Sequence, residues 1–574
     1  MADADDRHRT TDGGMAVARA MKAAGVTTIF ALHGGHLDAA FKGFLDEGIT
    51  LVDTRHEACA GHAAEGWARV TGGLGVCMIT AGPGFTNALT SMANARLDGV
   101  PVLFMAGAPP LREEALNVLQ GGVDQIAMAR PVVKHAIRIT DPHRIADQLA
   151  NAITIALGGR PGPVFVELPI DVLAKSAELP EVMPKPVAPV PTAPMPEQVD
   201  TVVALLKKAR RPVAILGGLA RYQATQAQVA AFLDTLGIPV VHSSRALGLV
   251  DPAHPAYAHD PSAIAVAGAE GQSPDLILML GSRFGLFLGG RTRTFFPEDA
   301  PIVQVHADVA EFGLIHEPAV ATTAQVGAFM DAVAAAWDEP AARFHSWRDV
   351  LRTAASTVGS EFVEETASGK INPYFATRAA VEGSPEGTSF VLEGGEAGLW
   401  AGYHARVAHP GGVLTFGQLG ALGIGFGFAL GAAYARPGKP VVQITGDGAV
   451  GFHLQEFETM VRQRLPIVTV VMNNSCWGQS IHGQQILYGP NYNCLSVLGD
   501  IKYHEIAQGF GLYGERVTTL EDIGPAIARA FASGKPGRID VVIDADLVLP
   551  MTSAMLGEAG PDEVMVPYYE NFKL

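Results

Sequence analysis

An acidic residue stands between two glycines where an apolar run ends, in the segment ITGDGAVGF at residues 444–452. Apolar residues precede Asp447 and recur at helical spacing after it, so this residue is predicted to lie on a strand-to-helix turn. Two asparagines, Asn473 and Asn474, close the next apolar run along the chain. Because parallel strands end at one edge of their sheet, we expect the acid and the asparagine pair to lie close together.

This combination of residues suits a metal that bridges to a phosphate. Carboxylate and amide oxygens are ligands that Mg²⁺ accepts, together with oxygens from phosphate, water and backbone carbonyls. Gly446 and Gly448 allow the backbone to approach a phosphate closely, and a helix that begins there supplies N–H donors. The alternative without a metal is that Asp447 only caps the N-terminus of the following helix. The asparagine pair favours the metal, and the missing lysine of a GxxxxGK[ST] loop disfavours a P-loop.

A second acid occupies a similar position near the N-terminus. The segment LVDTRHEACAGHAAEGWARVTG, residues 51–72, is typical of a strand followed by an alanine-rich helix that begins near Glu57. An acid at that position is favoured by the helix dipole alone. The turn AGPGFTN, residues 81–87, resembles GDGAVGF but has no acid, and it presents Gly82, Gly84 and Asn87. We therefore expect two related turns with different tasks.

The elements that carry these turns repeat along the chain. Residues 75–107 and 440–474 both follow the plan of apolar strand, glycine turn, helix and proline-led apolar strand, and residues 212–243 contain a looser copy. Apolar strands that alternate with helices predict parallel sheets covered on both faces. The expected fold is α/β, with three doubly wound parallel-sheet domains. A proline-rich connector at 177–198 and a break at 338–344 give predicted domains at 1–185, 190–340 and 345–574.

The composition favours an enzyme of small metabolites. The formal charge of −17 and the pI near 5.5 argue against nucleic acid and anionic membranes as partners. The four cysteines show no metal-binding spacing, and the polar N-terminus has no apolar segment of a signal peptide, so a cytoplasmic location is expected. Residues 414–435 carry no charge, but their many glycines favour a buried helix over a membrane span.

The GDG turn followed by the asparagine pair resembles the thiamine-diphosphate enzyme superfamily, and the resemblance covers essentially the whole chain. It implies a pyrimidine-binding, a central and a diphosphate-binding domain, in that order, with thiamine diphosphate and Mg²⁺ as cofactors. The metal ligands would be Asp447, Asn474 and the backbone carbonyl of Cys476. The implied cofactor-binding residues are Gly82, Asn87, Gly395, Ala397, Gly420, Leu422, Gly446, Gly448, Ala449, Asn474 and Gly478.

The resemblance also implies roles and an assembly. Glu57 would share a proton with the pyrimidine ring and so activate the cofactor, and Leu422 would be the apolar wedge that bends the two rings together. Gly420 and Ala421 would lie along the aminopyrimidine. In this superfamily the two cofactor-binding domains meet across a subunit interface, so a homodimer or homotetramer is expected.

The segments HGGH (33–36), RHEACAGHAAEG, LQGGVDQIAMA and NNSCWGQSIHGQQ most closely resemble those of benzaldehyde lyases, which cleave and form 2-hydroxy ketones. By that match Glu57, His36 and Gln120 are catalytic: the cofactor's C2 carbanion attacks the ketone, His36 removes the hydroxyl proton, and an enaminol remains after one aldehyde leaves. His36 is predicted to open a helix, where a histidine is about as often only structural.

The substrate pocket departs from that pattern at two positions. Gly35 and Gln479 stand where the family has alanine, beside Trp477, and the longer amide narrows or polarises the pocket. The C-terminal tail from Met551 also matches poorly and could form a different lid. Acetolactate synthase-like, 2-oxoacid decarboxylase and 2-hydroxyacyl-CoA lyase activities stay open, as does a flavin in the middle domain. A non-catalytic subunit is disfavoured because Glu57, Asp447 and Asn474 are all present.

Overall fold

The computed structural model describes residues 11–180, 182–290, 295–556, 562–566 and 572–573. The chain clusters into two compact units. The first unit comprises residues 1–190, 416–438 and 453–465, and the second comprises 191–415, 439–452 and 466–574.

The N-terminal part of the chain alternates strands with helices. Its strands are β1 (Thr11–Asp12), β2 (Thr28–Ala31), β3 (Thr50–Asp53), β4 (Gly75–Ile79), β5 (Val102–Ala108), β6 (His135–Arg138), β7 (Val164–Pro169) and β8 (Ser176–Ala177). Its helices are α1 (Gly13–Ala23), α2 (Asp38–Asp46), α3 (Glu57–Thr71), α4 (Pro83–Asp98), α5 (Gln125–Ala129), α6 (Ile145–Leu157) and α7 (Ile170–Ala174).

The middle part follows after a connector in which residues 182–195 form no helix or strand. Its strands are β9 (Pro212–Leu216), β10 (Val240–His242), β11 (Leu276–Leu280), β12 (Ile302–Val305) and β13 (Val320–Thr322). Its helices are α8 (Pro196–Lys208), α9 (Ala220–Gln223), α10 (Gln226–Leu236), α11 (Ser262–Ala269), α12 (Val326–Ala336) and α13 (His345–Thr357). The predicted break between two helices is present, because a short 3₁₀ turn at Ala341–Phe344 separates α12 from α13.

The C-terminal part repeats the alternation. Its strands are β14 (Ser389–Leu392), β15 (Val413–Thr415), β16 (Val441–Gly446), β17 (Ile467–Asn473), β18 (Tyr513–Val517), β19 (Gly537–Val542), β20 (Glu563–Val564) and β21 (Phe572–Lys573). Its helices are α14 (Pro373–Glu382), α15 (Glu396–Gly402), α16 (Gly425–Ala435), α17 (Asp447–Val450), α18 (Glu456–Arg462), α19 (Gly478–Tyr488), α20 (Tyr503–Phe510), α21 (Ile523–Ala532) and α22 (Pro550–Leu556).

Three parallel sheets form the framework, as the sequence predicts. The first unit contains a six-stranded sheet of order β3-β2-β4-β5-β7-β6. The second contains a five-stranded sheet, β10-β9-β11-β12-β13, and a six-stranded sheet, β15-β14-β16-β17-β19-β18, again with all neighbours parallel. Their central strands are buried along their whole length, which explains the continuous apolar runs. The exact domain boundaries stay a prediction.

The prediction of one buried helix over residues 414–435 is wrong at its N-terminal half. Residues 413–415 form strand β15, and only the 11 residues of α16 are helical. Helix α16 packs against α3 inside the first unit, and a Cβ at Gly431 would lie 2.3 Å from the Ala63 carbonyl oxygen. The glycines therefore allow two helix backbones to approach closely. The apolar residues of α16 are buried against protein, which accounts for the apolar composition of the segment.

The helix predicted after the GDG turn is also interrupted. The structure has the one-turn helix α17 and then α18, separated by residues 451–455. Apolar spacing continues across the gap, so periodicity alone could not reveal the break.

Candidate active site

The GDG turn lies where the sequence predicts it. Strand β16 ends at Gly446 and α17 begins at Asp447. Strands β16 and β17 are parallel neighbours with Gly446 opposite Met472, so the asparagine pair that closes β17 stands beside the acid. The cause is geometric, because two adjacent parallel strands that end in register bring the residues after them together.

Three oxygen atoms converge at this edge of the second unit's sheet. The Oδ1 atom of Asn474 lies 3.2 Å from Oδ1 of Asp447 and 2.9 Å from the carbonyl oxygen of Cys476. It also accepts a 3.3 Å hydrogen bond from the Cys476 N–H. Turned over, the amide would donate to both oxygens, whereas in the orientation found the three oxygens would suit a cation between them. At about 2.1 Å from Mg²⁺, neighbouring octahedral ligands lie about 3.0 Å apart, so the spacing fits the metal.

The electrostatics of Asp447 point the same way. Its Oδ2 atom is buried and has no hydrogen-bond partner among the described residues. Burial raises the pKa of this carboxyl group to about 7, although N–H groups of Gly448 and Ser475 donate to it. A buried carboxylate needs a compensating charge. Asp447, Asn474 and the Cys476 carbonyl therefore fit a divalent ion, which would supply that charge.

Small residues form a cradle around the turn. A Cβ at Gly448 would lie 2.6 Å from the Trp477 ring, and one at Gly394 would lie 2.4 Å from the Gly446 nitrogen. Gly395 has a φ of 59°, and the Gln479 side-chain oxygen lies 3.1 Å from its Cβ position. Larger side chains would displace these neighbours, so the close packing around the turn requires glycine at these positions.

The remaining predicted cofactor residues of the second unit line the same cradle. The Ala449 side chain lies 3.3 Å from the Gly394 Cβ position, and the Ala397 side chain lies 3.7 Å from that of Gly446. A Cβ at Gly478 would meet the Asn474 amide nitrogen at 3.0 Å and the Glu396 carboxylate at 3.2 Å. The structure therefore gathers the predicted residues of the GDG, EGGEA and NNSCWG segments within one unit.

A buried ion pair beside the cradle escaped the sequence analysis. Nδ1 of His482 lies 2.8 Å from Oε2 of Glu396, and Nε2 lies 2.8 Å from the Ala545 carbonyl oxygen. Thr552 on α22 donates to the other Glu396 oxygen at 2.6 Å. Burial alone lowers the pKa of His482, but Glu396 and the Ala545 carbonyl outweigh it, so this pKa is raised. Both ring nitrogens face acceptors, which requires an imidazolium.

The tail that was expected to form a different lid is described only in part. Helix α22 and the short antiparallel pair β20–β21 are present, whereas residues 557–561, 567–571 and 574 lie outside the described residues. The Thr552 hydrogen bond fixes α22 to Glu396. The proposed lid stays a prediction.

Glu57 is the first residue of α3 in the first unit and is buried. Its Oε2 atom accepts a 2.9 Å hydrogen bond from the Asn87 amide on α4. The other oxygen, Oε1, lies 3.4 Å from the Cβ position of Gly84, so the AGPGFTN turn surrounds this carboxylate. The structure therefore brings together Glu57 and Asn87, which the sequence placed on separate elements.

Gln120 lies against the same turn. It has a φ of 59°, and Ala115 and Asn117 nearby are also left-handed, which is uncommon for residues other than glycine. Its Cβ and Cα lie 3.0 and 3.2 Å from the Gly82 Cβ position, and Thr80 donates to its amide oxygen at 3.4 Å. This backbone strain is typical of functional loops.

Gln125 fixes the turn from behind and was missed in the sequence. It accepts from the Gly82 N–H at 2.9 Å and donates to the Gly107 carbonyl at 3.0 Å and to Glu167 at 2.7 Å. The side chain is buried. A glutamine three residues after a glycine pair carries no local signal for such a role, because its three partners come from distant segments.

The two N-terminal histidines have different surroundings. His33 is exposed, stacks on Phe41 and contacts Asp38 at 2.8 Å. His36 lies on a 3₁₀ turn, Gly35–Leu37, so the prediction that it opens the α-helix is off by this turn. Partial burial lowers the pKa of His36, which leaves it neutral at neutral pH and able to accept a proton.

His36 adjoins the AGPGFTN turn. Its Cβ lies 2.8 Å from the Cβ position of Gly107, and the Ala81 nitrogen lies 3.5 Å from the same point. Gly35 has free space, because its Cβ position meets only the Asp38 carboxylate at 3.9 Å. The first unit therefore gathers His36, Gln120 and Glu57 around one turn.

Gly420 and Leu422 belong to the first unit and precede α16. Gly420 is exposed with a φ of 66°, and Leu422 is half-buried. The preceding bend is held by Asp98, which accepts from the Gln418 N–H at 3.1 Å. A Cβ at Gly417 would lie 1.7 Å from the Asp98 carboxylate, so this position requires glycine.

The described residues contain neither a membrane-spanning helix nor a cluster of acidic, histidine or cysteine metal ligands. No helix there combines the length and apolar character needed to cross a membrane. No group of three or more histidine, cysteine, aspartate or glutamate residues there could hold a metal ion. The metal donors that fit are therefore one carboxylate, one amide oxygen and one backbone carbonyl.

Three family models match the chain, in the order expected for this architecture. The thiamine pyrophosphate enzyme N-terminal TPP binding domain matches residues 11–128, the central domain matches 199–333, and the C-terminal TPP binding domain matches 393–541. The Glu57 and Asp447 turns fall inside the two TPP binding domains.

Similar proteins span nearly the whole chain. The acetolactate synthase large subunit IlvG of Mycobacterium tuberculosis is 30% identical over 95% of this chain and 98% of its own length. Human 2-hydroxyacyl-CoA lyase 2 is 32% identical over 89% and 85%, and Escherichia coli oxalyl-CoA decarboxylase is 30% identical over 94% and 96%. The chain belongs to the thiamine pyrophosphate enzyme family, with the three-domain architecture of acetolactate synthases, and its cofactors are thiamine diphosphate and the family's usual metal, Mg²⁺.

Proposed function

We propose that this enzyme cleaves or forms the carbon–carbon bond of 2-hydroxy ketones, as a lyase and carboligase similar to the benzaldehyde lyases. The observation that carries the proposal is the position of His36, a half-buried imidazole of lowered pKa that adjoins the same turn as Gln120 and Glu57. A base that is neutral at physiological pH is what removal of a substrate hydroxyl proton requires.

Thiamine diphosphate, when bound, supplies a nucleophilic carbon that adds to a carbonyl and accepts electron density when the adjacent bond breaks. In our proposal the Glu57 carboxyl group shares a proton with the cofactor's pyrimidine ring, and Asn87 orients that carboxyl group through the 2.9 Å hydrogen bond. Asp447, Asn474 and the Cys476 carbonyl hold the metal of the diphosphate. Small residues of the cradle, and Gly82, Gly420 and Leu422 in the first unit, bind the cofactor.

Cleavage of an acyloin removes one proton from the hydroxyl oxygen and adds one proton to the former carbonyl carbon. His36 takes the hydroxyl proton, the bond between the two oxygenated carbons breaks, and the carbinol carbon leaves as an aldehyde. The bonding electron pair stays on the former carbonyl carbon, which takes a proton to give the second aldehyde. Gln120 orients the reacting oxygen or a water molecule through its amide group. Gly35, Trp477 and Gln479 line the substrate pocket in this proposal.

A 2-hydroxyacyl-CoA lyase activity is the second candidate. It is favoured by the 32% identity to the human protein of that name, and its substrate also carries a hydroxyl group next to a carbonyl. The same base would serve both reactions. Acetolactate synthase-like or 2-oxoacid decarboxylase activity starts from a 2-oxoacid, which has no substrate hydroxyl group to deprotonate, so it would leave His36 without this task.

One experiment separates these activities. The protein is loaded with thiamine diphosphate and Mg²⁺, and benzoin, acetoin, a 2-hydroxyacyl-CoA and pyruvate are offered separately. Aldehyde from benzoin or acetoin is the expected result. Release of carbon dioxide from pyruvate, without aldehyde from either acyloin, would overturn the proposal. Release of formyl-CoA from the 2-hydroxyacyl-CoA, without aldehyde from either acyloin, would instead support the 2-hydroxyacyl-CoA lyase activity. Homodimeric or homotetrameric assembly and the cytoplasmic location remain part of the proposal.

A further inference from the structure

The loop that leads into the Glu57 helix is held by a buried carboxylate from a distant segment. Glu456, the first residue of α18, is fully buried within the first unit. Its Oε1 atom accepts a 2.9 Å hydrogen bond from the Arg55 N–H, although the two residues are 401 positions apart. Its Oε2 atom accepts from the Thr459 hydroxyl at 2.7 Å. This acid is one that the mechanism above does not use.

The same carboxylate also receives hydrogen bonds from both sides of Glu57. The His56 N–H and the Cys59 side chain donate to Glu456, in addition to the Arg55 N–H. N–H groups at the start of a helix have no partner within the helix, and a carboxylate placed there satisfies them and interacts favourably with the helix dipole. Glu456 therefore fixes the backbone on both sides of Glu57 through groups other than the Glu57 carboxyl group.

Neighbouring residues of α18 contact the same loop at its surface. Arg462 donates to the Asp53 carbonyl at 3.0 Å, and the Glu458 carboxylate lies 3.8 Å from the Arg55 guanidinium. These contacts are partly exposed, so they contribute little to the position of the loop. The buried acid provides the contact that water cannot replace.

We propose that Glu456 is a positioning residue for Glu57: by holding the loop at residues 55–56 and the first turn of α3, it keeps the Glu57 carboxyl group aligned for proton sharing with the cofactor. The inference rests on the role proposed for Glu57. A displacement of about 1 Å at such a group can slow a reaction about a hundredfold. A buried acid that keeps Glu57 aligned would therefore have a large effect on the rate.

The test compares Glu456→Ala with Glu458→Ala, a change two residues along the same helix that removes only partly exposed contacts, those with Arg55 and Arg462. In the cofactor-free protein, we expect amide hydrogen exchange over residues 55–61 to be at least about tenfold faster in Glu456→Ala and unchanged in Glu458→Ala. In the loaded protein, we expect deuterium exchange at the thiamine C2 position, followed by NMR, to be about ten- to a hundredfold slower in Glu456→Ala. The calorimetric Kd for the cofactor with Mg²⁺ should stay within about threefold, since the diphosphate residues are untouched.

Glu456→Gln covers the case in which the alanine variant does not fold. The glutamine oxygen can still accept from the Arg55 N–H, but its amide NH₂ group cannot accept from the Thr459 hydroxyl, so we expect C2 exchange about threefold slower than in the unaltered protein. Unaltered C2 exchange in the Glu456 variants, while Glu57→Gln slows it, would overturn this inference alone. Unaltered exchange in Glu57→Gln itself would instead overturn the proposed role of Glu57.

Discussion

The side-chain oxygen of Asn474 faces the Asp447 carboxylate at 3.2 Å and the Cys476 carbonyl at 2.9 Å, so three acceptors stand together at the ends of two parallel strands. Acceptors repel one another unless a cation lies among them. A divalent ion among these three oxygens would therefore be needed for tight cofactor binding.

Asp447→Ala should weaken binding of thiamine diphosphate with Mg²⁺ by at least about a hundredfold, because it removes the charged metal ligand. Calorimetry with and without Mg²⁺ measures the effect. Cys476→Ala keeps the backbone carbonyl that would bind the metal, so its affinity should stay within about threefold of the original. Affinity retained in Asp447→Ala would refute the metal site.

His36→Ala should slow acyloin cleavage by about a hundredfold or more and slow pyruvate decarboxylation far less, because only the acyloin has a substrate hydroxyl group whose proton must be removed before the carbon–carbon bond breaks. The pKa of His36 is lowered below 6.5, so kcat/KM for acyloin cleavage should fall only when the pH drops below that value, as the imidazole becomes protonated. This acidic limb should disappear in the variant. Equal losses in both reactions would favour a decarboxylase.

Gln479→Ala should shift the preference from acetoin toward benzoin by about tenfold in the ratio of kcat/KM values, because it shortens the side chain whose oxygen lies 3.1 Å from the Cβ position of Gly395. Gly35→Ala is the matched change on the other unit, and free space at this position predicts an intact fold. An unaltered ratio of kcat/KM values in Gln479→Ala would show that this glutamine does not line the substrate pocket.

The pair of His482 and Glu396 should make stability depend on pH. The folded-state pKa of His482 is raised above 6.5, so the stabilisation is fully present below pH 6.5 and is lost as the pH rises through the folded value. His482→Gln leaves the Glu396 charge without its partner and should cost about 3 kcal/mol at pH 6. Urea unfolding at pH 6 and 8.5 measures both effects. A difference between the two proteins that does not shrink at the higher pH would contradict the pairing.

The sequence by itself determined the elements and the chemistry of the strand ends. Continuous apolar runs identified the parallel strands, because a strand covered on both faces has no polar positions. Glycines around an acid, followed by an asparagine pair, identified the GDG turn and its partner, since strand ends in a parallel sheet share one edge. These features are local in the chain, so they can be predicted from spacing.

Only the tertiary structure decided which distant groups meet. The contacts of Glu456 with Arg55 and of His482 with Glu396 join residues that are 401 and 86 positions apart. The glycines of helix α16 face α3, and the helix after the GDG turn breaks after one turn. Local periodicity contains no term for such contacts, because each depends on how separate elements pack and which buried polar groups must find partners.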